Sequence, residues 1–75
     1  MKYVIVGGTS GIGLATAELA VKSVHTVIAA GRDSSKFSVA TSVGATVAQL
    51  DASDQKACYG FFSEVGAFDH LVLCA

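Results

Sequence analysis

The strongest chemical signal in this chain is a run of glycines set between two kinds of periodicity. Val6-Gly7-Gly8-Thr9-Ser10-Gly11-Ile12-Gly13 follows a β-branched run, Tyr3 to Val6, and leads directly into a helical pattern. Glycines permit positive φ and let a backbone approach a ligand closely. A helix that starts there aims free N–H groups and the positive end of its dipole outward, which suits a pyrophosphate. Thr9 and Ser10 add hydroxyl donors. A tight strand-to-helix turn that binds nothing is the bland alternative. The spacing is Gly7-x-x-x-Gly11-x-Gly13, not the common G-x-G-x-x-G of dinucleotide sites.

Two further constellations lie at positions where strands should end. Ala30-Gly31-Arg32-Asp33 closes a second apolar run, and Leu50-Asp51-Ala52-Ser53-Asp54 closes a third. In dinucleotide folds, the end of the second strand reads the adenosine ribose. A carboxylate there selects NAD, whereas an arginine accommodates the 2′-phosphate of NADP. Asp33 lies 20 residues after Gly13, a spacing that suits NAD. The strand end, however, puts Gly31 where an NAD-selecting carboxylate would sit, with Arg32 next, so NADP is favoured over NAD. Asp33 then reads as a helix cap, and a solvated turn is the bland reading of Arg32. Asp51 could be a turn residue, with Ser53 as a helix N-cap and Asp54 facing the helix dipole.

The other polar candidates point away from chemistry. His25 and His70 each precede a strand and have no second ligand at useful spacing, so no metal site is expected. Cys58 reads as a small core residue on a helix. Tyr3 and Tyr59 have no lysine four residues later, since Tyr59 is followed at that spacing by Ser63.

The elements that must hold these residues alternate. Tyr3–Val6 is a short buried strand. Ile12 to about Lys22 is a helix with Ile12, Ala15 and Leu19 on one face, Leu14, Ala17 and Val21 beside it, and a Glu18–Lys22 pair on the solvent side. His25–Ala30 is a second strand. A weaker helix follows from an Asp33 or Ser34 cap to about Val43, turning Phe37, Ala40 and Val43 inward, and Gly44 suits its C′ position. Ala45–Leu50 is a third strand. A third helix carries Ala57, Cys58, Phe61, Phe62 and Val65 as its core stripe and ends at Gly66, and Asp69–Ala75 is a fourth strand. Ser23-Val24 sits awkwardly, because the first helix should end there without a glycine or asparagine. Gly60 sits mid-helix. The pattern β-α-β-α-β-α-β implies an α/β fold with a parallel sheet covered on both faces.

Composition narrows the partners. The chain has 75 residues, 52% hydrophobic and 15% charged, with a net charge of −1. That excludes intrinsic disorder and gives no electrostatic footprint for nucleic acid or an anionic membrane. The N-terminal apolar run is too short for a signal peptide, so a cytoplasmic protein with reduced thiols is expected. Two cysteines and two histidines cannot build a stabilising framework for so short a domain.

Gly7-Gly8-Thr9-Ser10-Gly11-Ile12-Gly13-Leu14-Ala15 closely resembles the cofactor loop of the short-chain dehydrogenase/reductase family, and the resemblance runs along the whole chain. Val6 departs from the threonine often found there. The resemblance implies a Rossmann-type parallel sheet of strand order 3-2-1-4, a partial domain over residues 1–75. It implies a dinucleotide held by Gly7, Thr9, Ser10, Gly11, Ile12, Gly13, Gly31 and Arg32. Asp51 would contact the adenine amino group, and Ala52 would add a backbone contact. The family's fourth strand usually ends in Asn-Asn-Ala-Gly. Here Leu73 and Cys74 take the asparagine positions, with Cys74 near the adenine ribose and Ala75 lining it. The family transfers a hydride between a nicotinamide and a carbonyl or alcohol, using a serine and a Tyr-x-x-x-Lys pair. No such pair occurs in these residues, so no catalytic residue is assigned and the segment resembles the first third of a family member. An alternative is a non-catalytic Rossmann-like module acting through protein contacts. In the implied strand order the fourth strand is an unpaired apolar edge, which invites self-association.

Overall fold

The computed structural model describes residues 1–9 and 11–74. Its elements run β1 (Lys2–Val6), α1 (Gly11–Lys22), β2 (Thr26–Gly31), a 3-10 turn (Ser34–Lys36), α2 (Phe37–Ser42), β3 (Thr46–Gln49), α3 (Gln55–Val65) and β4 (His70–Leu73). All pairings are parallel and the order is β3-β2-β1-β4. The expected α/β Rossmann-type sheet is the one observed. Val4 and Ile5 have no exposed surface, as befits a strand buried on both faces.

Side-chain alternation divides the helices between the two faces. Tyr3 and Ile5 join a cluster with Ala17 and Ala20 of α1, Val27 and Ala29 of β2, and Ala40 of α2. On the other face, Lys2 extends its Nζ to the carbonyl of Val65 at the end of α3, at 2.6 Å. A cation thus meets the negative end of that helix. The Lys2 amide also donates to Asp69 Oδ2 at 2.7 Å, which fixes the entry into β4 beside β1.

The buried stripe of α1 differs from the expected one. Gly13, Ala17 and Ala20 are buried, while Ile12 and Leu19 are 82% and 67% exposed. Small residues are needed where the helix lies close on the sheet, so the bulky pair falls on the outer side. The Glu18–Lys22 pair forms as expected, at 3.2 Å. In α3 the expected stripe faces inward, but none of its residues is buried. No helix among the described residues is long and apolar enough to cross a membrane.

Two helices end in the same hydrogen-bonded motif. His25 N–H donates to the Ala20 carbonyl and Val24 N–H to the Val21 carbonyl; Ala45 and Gly44 repeat the pattern on Ala40 and Thr41. These are Schellman caps, which place the C′ residue in the left-handed region. Gly44 meets that demand with φ 101°, but Val24 must adopt φ 65°. The missing glycine at Ser23-Val24 is therefore a valine held in a conformation its branched side chain disfavours.

Candidate functional site

Parallel strands bring their carboxyl ends to one edge of the sheet. The chain runs from β1 outward through β2 to β3, then crosses back through α3 to place β4 on the other side of β1. Such a switch point opens a crevice between diverging connections. A cleft of about 310 Å³ lies there, lined by Val6 and Gly7 after β1, Gly31 and Arg32 after β2, Leu50 to Ser53 after β3, and Cys74 after β4. Its volume falls at the lower end of the range for small-molecule sites. Its charged lining groups are Arg32 and Asp51.

The glycine loop is shaped by backbone packing. A Cβ on Gly13 would strike the Gly7 carbonyl oxygen, and one on Gly7 would strike the carbonyl oxygen of Cys74. These absences draw the first turn of α1 onto the end of β1, and β1 onto the end of β4. Gly7 has φ 86° and donates its N–H to the Ala30 carbonyl at 2.7 Å. Gly11 has φ 58° and faces open space at the start of α1. Its glycine is required by conformation, where Gly13 is required by proximity.

Thr9 is buried, with 5% of its surface exposed, and its side chain lies against the Cα of Gly31. The end of β2 thus lacks a side chain at residue 31 because Thr9 fills that space.

Arg32 is exposed beyond β2. Its carbonyl accepts a hydrogen bond from Gln49 Nε2 at 3.2 Å, and the Gly31 carbonyl accepts one from the Leu50 N–H at 2.9 Å. Asp33 does not line the cleft. It caps the 3-10 turn, accepting at Oδ1 from the Ser35 amide at 3.0 Å and the Ser35 hydroxyl at 2.7 Å. The Ser35 hydroxyl, its amide and the nearby Lys36 charge hold the Asp33 carboxyl below its ordinary range, against a weaker effect of burial.

Asp51 repeats this arrangement one strand over. Its Oδ1 accepts from the Ser53 amide at 3.0 Å and the Ser53 hydroxyl at 2.7 Å. The Ser53 hydroxyl leads, followed by its amide, in keeping the carboxyl below the usual carboxylate range; the Arg32 charge adds to this while burial opposes it. The expected cap assignment needs correction here. Ser53 serves Asp51, and Asp54 is the N-cap of α3, accepting from Ala57 N–H at 3.2 Å. The Asp-x-Ser spacing, present after both β2 and β3, is the sequence signal for these turns.

Of the residues singled out from sequence, Gly7, Gly31, Arg32, Asp51, Ala52 and Cys74 meet in the cleft. Thr9, Gly11, Ile12 and Gly13 belong to the adjoining loop and the start of α1 and do not line it. Ser10 and Ala75 lie outside the described residues. Val6, Leu50 and Ser53 line it too, without having been assigned to the site from sequence, and Gln49 reaches the Arg32 carbonyl from outside the lining. His25 and His70 lie at the opposite end of the sheet, where their rings pack on Tyr3 at 4.9 and 4.7 Å between centroids.

Known proteins resemble this arrangement. The family model described as the NAD dependent epimerase/dehydratase family matches residues 3–75. A solved structure described as a short chain dehydrogenase/reductase family protein superposes with a TM-score of 0.94 at 31% identity, over 100% of this chain and 33% of its own length. The closed form of serine dehydrogenase complexed with NADP+ gives 0.79 at 26% identity, over 89% of this chain and 28% of that one. A ribose-5-phosphate isomerase from Brucella melitensis 16M gives 0.81 at 35% identity, over 99% and 31%. No curated protein matches the chain. The chain thus spans about a third of the length of these solved structures, with 33%, 28% and 31% covered.

Proposed function

Because this chain belongs to the NAD-dependent epimerase/dehydratase family, we propose that it binds NADP(H), as the amino-terminal cofactor-binding part of a short-chain dehydrogenase/reductase-like oxidoreductase. The observation that carries this reading is the cleft at the switch point, which Arg32 and Asp51 both line together with Gly7 of the glycine loop. The residues fit a dinucleotide. The first turn of α1, opened by Gly11, Ile12 and Gly13, offers N–H groups to the pyrophosphate. Ser10 keeps the hydroxyl-donor role its place in the loop suggests, and Thr9 shapes the loop from its seat on Gly31. Asp51 and the Ala52 backbone are assigned to the adenine, and Gly7, Cys74 and Ala75 to the adenosine side.

NADP is favoured over NAD on three grounds. Thr9 leaves no room for a carboxylate at residue 31. Asp33 is committed to its cap. Arg32 is free to meet a 2′-phosphate with a charge-assisted, bidentate contact. A bound nicotinamide dinucleotide would exchange hydride with a carbonyl or alcohol substrate. The serine and Tyr-x-x-x-Lys pair for that chemistry are not among these residues, so none of them is assigned to substrate handling. A cytoplasmic setting is part of the same reading.

Thermal unfolding with and without NADPH tests the proposal, since a ligand that binds only the folded state raises Tm by mass action. A rise that saturates with NADPH supports it. No rise at millimolar cofactor overturns it.

A second reading rests on β4. Leu71 and Leu73 are 44% and 71% exposed on a strand that ends the sheet of described residues. A non-catalytic module that pairs this edge with another copy would show concentration-dependent association and no cofactor effect on Tm.

A further inference from the structure

We infer that Gln49 is a positioning residue for Arg32, and through it for discrimination between NADP and NAD; this rests on the cofactor reading above. Gln49 is the last residue of β3 and lies opposite Gly31 in the parallel ladder. Its amide Nε2 donates to the Arg32 carbonyl at 3.2 Å, across 17 residues of sequence. One residue later, the Leu50 N–H holds the Gly31 carbonyl at 2.9 Å. Consecutive carbonyls of the β2 turn are thus tied to β3, one by backbone and one by the Gln49 side chain. Beyond Arg32, the turn is held by the two Ser35 bonds to Asp33 and by Lys36 N–H on the Asp33 carbonyl at 3.2 Å.

Arg32 is therefore an exposed side chain on a backbone fixed from both sides. A guanidinium recognises phosphate directionally, so its yield depends on where the stem starts. Fixing that start in advance removes part of the ordering cost of binding. The Asp33 side is secured by a cap that any helix entrance could supply. The β3 side depends on a long amide at residue 49 and on no other side chain among the described residues. NADH carries no 2′-phosphate, so its affinity does not pass through Arg32 or through the group that places it. An amide at the end of a strand otherwise reads as a solvated edge.

Gln49→Met keeps the length of the side chain and removes the donor. NADPH and NADH affinities are measured by calorimetry for the full chain, Q49M, R32A and the double variant. Loss of one such hydrogen bond is expected to weaken NADPH binding by about fivefold, with NADH unchanged. In the R32A background, Q49M should cause no further loss, because the two act as one unit. Unchanged NADPH affinity, equal losses for both cofactors, or the same loss without Arg32 would each overturn the inference while leaving the cofactor reading intact. A parent chain that binds neither cofactor would remove that reading and the inference with it.

Discussion

The side chain of Thr9 occupies the space that a Cβ on residue 31 would need: its Cγ2 and Cβ would lie 3.0 and 3.2 Å from that atom, with Oγ1 closer still. This contact links the glycine loop to the end of β2, so two separated sequence features form one packed unit. Gly31→Ala should therefore destabilise the fold by about 1–3 kcal/mol through overpacking, read as a fall in the urea midpoint. Adding Thr9→Ala removes Oγ1 and Cγ2 and should restore part of the loss. Additive losses in the double variant would show that the two residues do not compete for space.

Val24 is the one non-glycine residue with positive φ among those described, and the residue is 90% exposed. Replacing it with glycine relieves the left-handed strain of about 1–2 kcal/mol, less the backbone freedom that glycine restores to the unfolded chain. A net gain of about 0.5–1 kcal/mol is expected in chemical denaturation. Gly44→Val should do the reverse, since that residue holds φ 101° in the matching cap, and an added Cβ would meet Val21 Cγ1 at 2.8 Å.

Gly60 lies within α3, and a Cβ there meets nothing within 4 Å. Gly60→Ala should stabilise the chain by about 1 kcal/mol through helix propensity alone. A loss of stability would mean that the exposed face of α3 is covered by something that needs the glycine.

The Asp51–Ser53 turn predicts a pH dependence with a definite sign. The folded carboxyl titrates below its unfolded value because Ser53 bonds stabilise the carboxylate. Its contribution to stability is present above the unfolded pKa and lost as pH falls through the folded one. Ser53→Ala should move the Asp51 carboxyl resonance titration upward and flatten the acid limb of the stability curve. Ser35→Ala should do the same for Asp33. An Asp51 titration that Ser53→Ala leaves unmoved would remove the turn as the cause.

Strand and helix alternation was legible because β-branched runs and glycine breaks mark each parallel strand plainly. The inner face of α1 was not. Gly13, Ala17 and Ala20 carry little hydrophobic weight, whereas Ile12 and Leu19 carry much. Close helix-to-sheet packing rewards small size, which a hydrophobicity pattern ranks low. At the site, residue types at strand ends pointed to Arg32 and Asp51. Gln49 and Ser53 were hidden because their roles are hydrogen bonds to neighbouring turns, and spacing reveals such bonds only through the short Asp-x-Ser pattern. The cap on α3 shifted by one residue for a related reason. Ser53 and Asp54 are both good caps, and only the competing bond from Ser53 to Asp51 decides between them.

Parallel titration of this chain and its Arg32→Ala variant with NADPH and NADH tests the cofactor assignment most directly. The parent should bind NADPH more tightly than NADH. R32A should lower NADPH affinity by about tenfold or more, as expected for a lost charge-assisted contact, and leave NADH affinity unchanged. Equal affinity for the two cofactors, unaffected by R32A, would contradict it.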